Sequence, residues 1–213
     1  DLLQIHWPNE KIPFEETISA MIDLKEKGLI HNIGLCNFSF DQIKKIIRKF
    51  KSNTIFSIQT EYNLFERSAE KNLIPLCKRN NILLIAYSPL AQGKLANGKK
   101  QINLLNSMAK KYNCTSSQII LSWIAAQKNI ISIPNSSNIK NLSKNFESKL
   151  ISLRKSDLAK IDKNCITKIK KINTNKINVS NKYNRKVYKN LDEAIQNRLR
   201  MTQSPLELSK EIK

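Results

Sequence analysis

With 213 residues and 40% hydrophobic content, the chain is long enough for one ordinary domain with a sizeable core and a modest appendage, which excludes disorder throughout. Its longest apolar runs, such as Ile82-Leu83-Leu84-Ile85-Ala86-Tyr87, fall far short of a membrane span, and no charged-then-apolar signal segment opens it, so a cytoplasmic protein is expected. The formal net charge of +20 suits an anionic partner, but lysine far outnumbers arginine and Asn and Ile abound throughout, a pattern that an AT-rich coding sequence also produces.

Four widely spaced cysteines, Cys36, Cys77, Cys114 and Cys165, show no CxxC pair and no nearby histidine cluster, so neither a disulfide framework nor a metal site is expected. The chain starts at Asp1, inside an apolar run, and stops within a charged helical pattern, and a fragment of a longer protein is expected.

From Asp1 to about Asn135 short apolar runs alternate with longer amphipathic segments, the pattern of βα units around a parallel sheet. The first strand is expected over Leu2–His6, followed by a helix from Phe14 to Lys27 whose Ile18, Met21, Ile22 and Leu24 share a face and whose stop signal is Gly28. A second strand over Ile33–Cys36 precedes a helix from Phe40 with an inward stripe of Ile43, Ile46 and Ile47. The third strand, Ile55–Gln59, leads to a helix from Ala69 to Arg79, and the fourth, Ile82–Tyr87, leads to the loop Ser88-Pro89-Leu90-Ala91-Gln92-Gly93.

Two consecutive helices come next, about Asn103–Tyr112 and Ser116–Gln127, the second capped by Ser116 or Ser117 and carrying Trp123 as a core residue. A fifth strand, Ile130–Ile133, then precedes helices over Ser136–Phe146 and Ser156–Asp162. Five such units fit either a (β/α) barrel or a doubly wound sheet, and periodicity does not separate the two; no GxGxxG follows any strand, which counts against a dinucleotide-binding Rossmann domain.

Polar residues gather where strands end: His6, Asn37, Gln59 and Tyr87-Ser88. A lone histidine there is open to two readings, a satisfied structural residue or a ligand contact. Four such placements at the rim where barrels build their sites favour the second.

The strings Asp1-Leu2-Leu3-Gln4-Ile5-His6-Trp7-Pro8, Ile33-Gly34-Leu35-Cys36-Asn37-Phe38-Ser39, Gln59-Thr60-Glu61-Tyr62-Asn63-Leu64-Phe65, Ala86-Tyr87-Ser88-Pro89-Leu90 and Ile133-Pro134-Asn135-Ser136-Ser137 resemble the aldo-keto reductases, in that family's order and spacing. The resemblance runs from residue 1 to about 165 and corresponds to the fourth barrel strand onward. It implies an α/β fold, an incomplete (β/α)8 TIM barrel of about five βα units, and hydride transfer between a nicotinamide cofactor, NADP(H) ahead of NAD(H), and an aldehyde, ketone or alcohol.

Residue by residue, the resemblance implies that His6 is the tetrad histidine that hydrogen-bonds the substrate carbonyl. Trp7 would line the substrate pocket, with packing under the barrel mouth as its alternative. Asn37 and Gln59 would hold the nicotinamide carboxamide, Cys36 standing where members commonly have serine. Tyr87 would stack under the nicotinamide ring, its alternative being a core aromatic with a satisfied hydroxyl.

Ser88, Leu90, Gln92 and Gly93 would cover the pyrophosphate, Ser136 would meet a phosphate on free helix N–H groups, and Asn145 would bind adenine. NADP-selective members usually have lysine where Asn135 stands, arginine where Asn141 stands and glutamate where Lys144 stands, which leaves Lys140 as a charge for a 2′-phosphate. The remaining tetrad residues, an aspartate, a tyrosine and a lysine, come from earlier strands in this family, so the chain alone is expected to be inactive. A cofactor-binding regulatory protein without catalysis is the rival reading.

From 166 to 213 the composition shifts to a basic segment, expected as linker and then helices near Asn190–Arg200 and from Pro205. Ile177-Asn178-Val179-Ser180, Tyr183-Asn184-Arg185 and Ser204-Pro205-Leu206-Glu207-Leu208 resemble the opening of a ParB-like domain, with Arg185 as the residue to contact a nucleotide or phosphate; a basic disordered tail is the alternative. Nucleic acid is therefore a partner only through this tail, beside the small carbonyl substrate, and no membrane partner is expected.

Overall fold

The structure is a computed structural model that describes residues 1–9, 11–50, 53–91 and 99–164. The expectations for Gln92, Gly93, Cys165, Arg185 and the whole 166–213 segment lie outside the described residues. Five strands form one parallel sheet in chain order: β1 (Leu2–Ile5), β2 (Asn32–Cys36), β3 (Ile55–Glu61), β4 (Leu83–Tyr87) and β5 (Ile130–Ser132). The described helices are α1 (Phe14–Glu26), α2 (Phe40–Lys49), α3 (Leu73–Arg79), α4 (Lys99–Lys111), α5 (Ser116–Ala125), α6 (Ile139–Glu147) and α7 (Lys155–Asn164). A doubly wound sheet reverses its strand order at a switch point, whereas this sheet advances in one direction throughout, as barrel strands do. Among the described residues no helix is long and apolar enough to cross a membrane.

Local chemistry explains where the helices start and stop. α2 opens with a capping box in which Ser39 Oγ accepts from Gln42 N–H while Gln42 Oε1 accepts from Ser39 N–H. α5 opens the same way on Thr115 and Gln118. That corrects the expected cap at Ser116 or Ser117, because only Thr115 has a glutamine three residues on.

α1, α3 and α4 end on a left-handed residue: Gly28 (φ 71°), Asn81 (φ 52°) and Asn113 (φ 50°). The following N–H groups of Leu29, Ile82 and Cys114 then reach back to Leu24, Cys77 and Ala109 at 3.0, 2.9 and 2.9 Å. The helix expected from Ala69 is in fact a 3-10 turn over Ser68–Glu70 followed by α3. Pro75 is the reason: it has no N–H to donate and is accommodated in a helix's first turn, not in its interior.

One face of the sheet packs on the helices. Ile33, Leu35, Ile58 and Leu84 meet Ile18, Ile43, Ile46, Ile120 and Trp123 in one apolar cluster. Trp123 is fully buried, as expected of a core residue, and its Nε1 donates to Asp162 at 3.1 Å. The same Asp162 Oδ1 accepts from Arg67 Nη2 at 3.0 Å, while Arg67 Nε and Tyr62 Oη both donate to Glu70. This network, with Tyr62 stacked on Trp123 at 5.6 Å, fastens α7 beneath the loop after β3.

The opposite face is read through the strand register. Gln4, Gly34, Ser57 and Leu83 form one row across β1 to β4; Cys36, Gln59, Ile85 and Ile131 form the next row toward the strand C-termini. A Cβ at Gly34 would sit 2.5 Å from Ser57 Oγ and 2.8 Å from Gln4 Cγ, so glycine is needed for close packing within the row.

Candidate active site

The strand C-termini converge on Asn37. Its backbone is left-handed (φ 63°), a conformation asparagine adopts more readily than most residues, and its N–H donates to the carbonyl of Gln59 at 3.1 Å. The side-chain Nδ2 donates to the carbonyl of His6 at 3.0 Å and to Cys36 Sγ at 3.2 Å. Its Oδ1 accepts from the Tyr87 hydroxyl at 3.0 Å. One residue thus ties together the ends of β1 to β4 and gathers His6, Gln59 and Tyr87, three of the residues singled out in the sequence.

Asn37 Oδ1 keeps one lone pair beyond the Tyr87 bond, while Nδ2 has both hydrogens engaged. The amide therefore presents an acceptor. Gln59 lies two residues before the end of β3, because the strand runs on to Glu61, and its side chain makes no hydrogen bond among the described residues. His6 follows the last residue of β1 and is exposed, with Trp7, itself 43% exposed, at 6.0 Å ring to ring.

Cys36 is buried, which pushes its thiol up to about 11. It remains a neutral thiol that accepts from Asn37, where a serine would offer a stronger donor. Burial also raises the Tyr87 hydroxyl, and the charge of Glu61 adds to the shift. The Tyr87 hydroxyl hydrogen is directed to Asn37, and the side chain is half-buried at the end of β4.

Beyond Tyr87 the chain turns sharply through Ser88 (φ 48°) and Ala91 (φ 48°). Asn63 holds this turn: its Nδ2 donates to the Ser88 carbonyl at 3.1 Å while its Oδ1 accepts from Phe65 and Glu66 N–H, each at 2.9 Å. Asn63 is 1% exposed and was not singled out as a site residue. An asparagine two residues past a strand that closes a turn on the backbone following it was the available signal.

A cavity of about 590 Å³ lies between this turn, α5 and α6, and its lining includes Ser88, Leu90, Ser136 and Asn145. Four of the expected cofactor residues therefore share one concavity. Lys144 is among its lining residues and Lys140 is not.

The helix N–H groups expected to be free beside Ser136 are not: Asn138 Oδ1 accepts from Lys140 and Asn141 N–H at 2.9 and 3.3 Å, and Ser136 Oγ accepts from Asn138 N–H at 3.1 Å. α6 accordingly begins at Ile139, after its asparagine cap, and not at Ser136. A larger open depression of about 740 Å³ beside α4 holds none of the expected residues.

The family model of the Aldo/keto reductase family matches residues 1–165. Methylglyoxal reductase YeaE of Escherichia coli (strain K12) is 30% identical over 164 residues, 76% of this chain and 57% of that protein. An uncharacterized oxidoreductase of Schizosaccharomyces pombe, C215.11c, is 32% identical over 163 residues, 76% of this chain and 51% of its own length.

Among solved structures, the thermostable aldo-keto reductase Tm1743 in complex with the inhibitor epalrestat superposes with a TM-score of 0.71 at 35% identity, covering 76% of this chain and 59% of that one. An aldo/keto reductase from Klebsiella pneumoniae in complex with NADP and acetate gives 0.71 at 29% identity, covering 76% and 58%. The chain spans just over half the length of the curated relatives it matches. Its one-directional parallel sheet, its polar strand ends tied through Asn37 and these matches lead to one assignment: the chain belongs to the Aldo/keto reductase family.

Proposed function

We propose that this chain forms the cofactor-holding and substrate-orienting side of an NADP(H)-dependent oxidoreductase acting on aldehydes, ketones or the corresponding alcohols. The observation that carries the reading is Asn37, whose amide bridges His6 and Tyr87 at the strand ends and keeps an acceptor for a carboxamide N–H. The cavity fits a dinucleotide in chemistry, with hydroxyl and amide donors and no carboxylate among the described residues of its lining. Klebsiella relatives carry NADP or NADPH in their structures.

In this reading NADPH, when bound, supplies the hydride. Asn37 and Gln59 fix the carboxamide end, so that one ring face is offered to substrate. Tyr87 provides a flat aromatic surface whose hydroxyl is anchored on Asn37, and Ser88, Leu90, Gln92, Gly93, Ser136 and Asn145 hold the phosphates and adenosine. His6 donates an imidazole N–H to the substrate carbonyl oxygen and orients it, and Trp7 walls the pocket against water.

Tyr87 is not the proton donor in this scheme: its hydrogen is engaged by Asn37 and its pKa is raised. The acid is the tyrosine that the family carries on an earlier strand, so this chain alone binds cofactor without reducing carbonyls. NADPH fluorescence titration is expected to show saturable binding that Asn37→Ala weakens, and incubation with NADPH and an aldehyde is expected to show no oxidation above a His6→Ala control. Absence of NADPH binding overturns the cofactor reading; turnover above the control overturns the claim of inactivity.

A further inference from the structure

The cavity wall formed by Ser88, Pro89 and Leu90 is a turn whose backbone is strained at both ends. Ser88 and Ala91 are left-handed, each at φ 48°, and neither is a residue that adopts this conformation readily. Within the turn, Ala91 N–H donates to the Ser88 carbonyl at 2.9 Å. Further support comes from the end of β3: Tyr62 N–H donates to the Tyr87 carbonyl at 3.4 Å and Asn63 Nδ2 to the Ser88 carbonyl at 3.1 Å. The hydrogen-bonding capacity of the Asn63 amide is filled, because its other Nδ2 hydrogen is directed to Glu61 Oε1 at 3.4 Å and its Oδ1 accepts from Phe65 and Glu66 N–H. With 1% exposure it reaches no ligand in the cavity, so any effect it has on one passes through Ser88.

We propose that Asn63 is a positioning residue for the cofactor, holding the Ser88-Pro89-Leu90 turn in its cavity-lining shape before the ligand arrives. This rests on the reading of the cavity as the cofactor site. A ligand that needs the wall in one shape binds with an affinity reduced by the fraction of chains that lack that shape. Without Asn63 the Ser88 carbonyl keeps only its local bond, and the two left-handed residues relax toward ordinary backbone. Asn63→Ala removes the whole brace. Asn63→Asp is more selective: its carboxylate still accepts from Phe65 and Glu66 N–H but sets an oxygen without a hydrogen against the Ser88 carbonyl and Glu61. Burial and the Glu61 charge favour protonation of that carboxyl, which restores the donor.

The test is calorimetric titration of the whole chain with NADPH between pH 5 and 9, for the unmodified chain, N63A, N63D and D157N, together with amide hydrogen exchange. N63A is expected to bind about tenfold more weakly at every pH, the effect of one lost hydrogen bond. Its Ala91 amide should exchange faster while those of Ile33 and Leu35 in β2 stay protected, which is local opening and not unfolding. N63D should approach the unmodified affinity at pH 5 and fall away from it as pH rises, a profile that a general packing defect does not produce. D157N, altered at α7, should bind as the unmodified chain does. Unchanged NADPH affinity in N63A, equal loss of protection in β2, or an N63D as weak as N63A at every pH overturns the role of Asn63 while the cofactor site stands. Failure of the unmodified chain to bind NADPH overturns the cofactor reading itself and this assignment with it.

Discussion

The Tyr87 hydroxyl donates to Asn37 Oδ1 at 3.0 Å, joining the end of β4 to the residue after β2 across the intervening β3. The bond sets the orientation of the tyrosine and uses one lone pair of an amide whose two N–H groups already engage His6 and Cys36. Tyr87→Phe is expected to leave the fold intact, cost about 1 kcal/mol of stability and weaken NADPH binding severalfold. Asn37→Gly and Asn37→Ala both remove the amide, but only alanine also resists the left-handed backbone, so N37A should be less stable than N37G by about 1 kcal/mol. Urea unfolding and NADPH titration of the three variants check this, and equal stability of N37A and N37G would remove the backbone part of the argument.

Gly34 is expected to be intolerant of a single added methyl group. A Cβ there would approach Ser57 Oγ at 2.5 Å and Gln4 Cγ at 2.8 Å. Gly34→Ala should destabilise by about 1–3 kcal/mol, the usual cost of overpacking. Ser57 is fully buried and its hydroxyl has no hydrogen-bond partner among the described residues, so Ser57→Ala alone should be neutral or stabilising, and it should recover part of the G34A loss. A thermal melt in which the two changes are strictly additive would contradict the contact.

Stability should depend on pH at both extremes. Cys36 has a folded pKa of about 11, above its ordinary range, so the folded state holds that proton more tightly. Its contribution is complete below the ordinary thiol range and is lost as pH rises through 11. Cys36→Val should flatten this alkaline loss, leaving the share of Cys77, whose thiol burial pushes to about 12.

Asp157 behaves in the opposite sense. Hydrogen bonds from Lys111 and Tyr112 hold its carboxylate below the usual range, so its contribution is present above that range and disappears as pH falls through the lowered value. Asp157→Asn should flatten the acid limb and loosen α7 from α4. Denaturant midpoints measured from pH 3 to 11 test both limbs, and an unchanged acid limb in D157N would exclude Asp157 as its source.

The chain on its own is expected to self-associate. Ile139, Leu142 and Phe146 on α6 and Leu150 beyond it form an exposed apolar stripe, and Phe146 and Leu150 are 68% and 76% exposed. β1 and β5 each have an open edge among the described residues. Light scattering should report oligomers or aggregates that Leu142→Lys combined with Phe146→Glu reduces. A monomer with a sharp two-state melt would argue against an open interface.

Legibility in the sequence followed the range of the interactions. Apolar alternation and 3.6-residue stripes marked all five strands and located the helices, because those patterns record which side of an element faces the core. The α/β class and the strand-end placement of Asn37 and Tyr87 followed from the pattern, while the barrel, which periodicity did not separate from a doubly wound sheet, rested on the family resemblance. The boundaries that moved were those set by one competing contact: Gln118 made Thr115 the cap of α5, Asn138 delayed the start of α6, and Pro75 broke the helix expected from Ala69.

The sequence by itself determined the βα order, the family and which polar residues stand at strand ends, since each depends on residue type and spacing along the chain. Only the tertiary structure decided that Asn37 is the joint holding His6, Gln59 and Tyr87 together, that Asn63 holds the Ser88 turn, and that Lys144 rather than Lys140 faces the cavity. These are relations between residues brought together by strand register and by the rotation of a helix about its axis, and spacing in one dimension does not specify where a side chain of a solvent-facing helix comes to point.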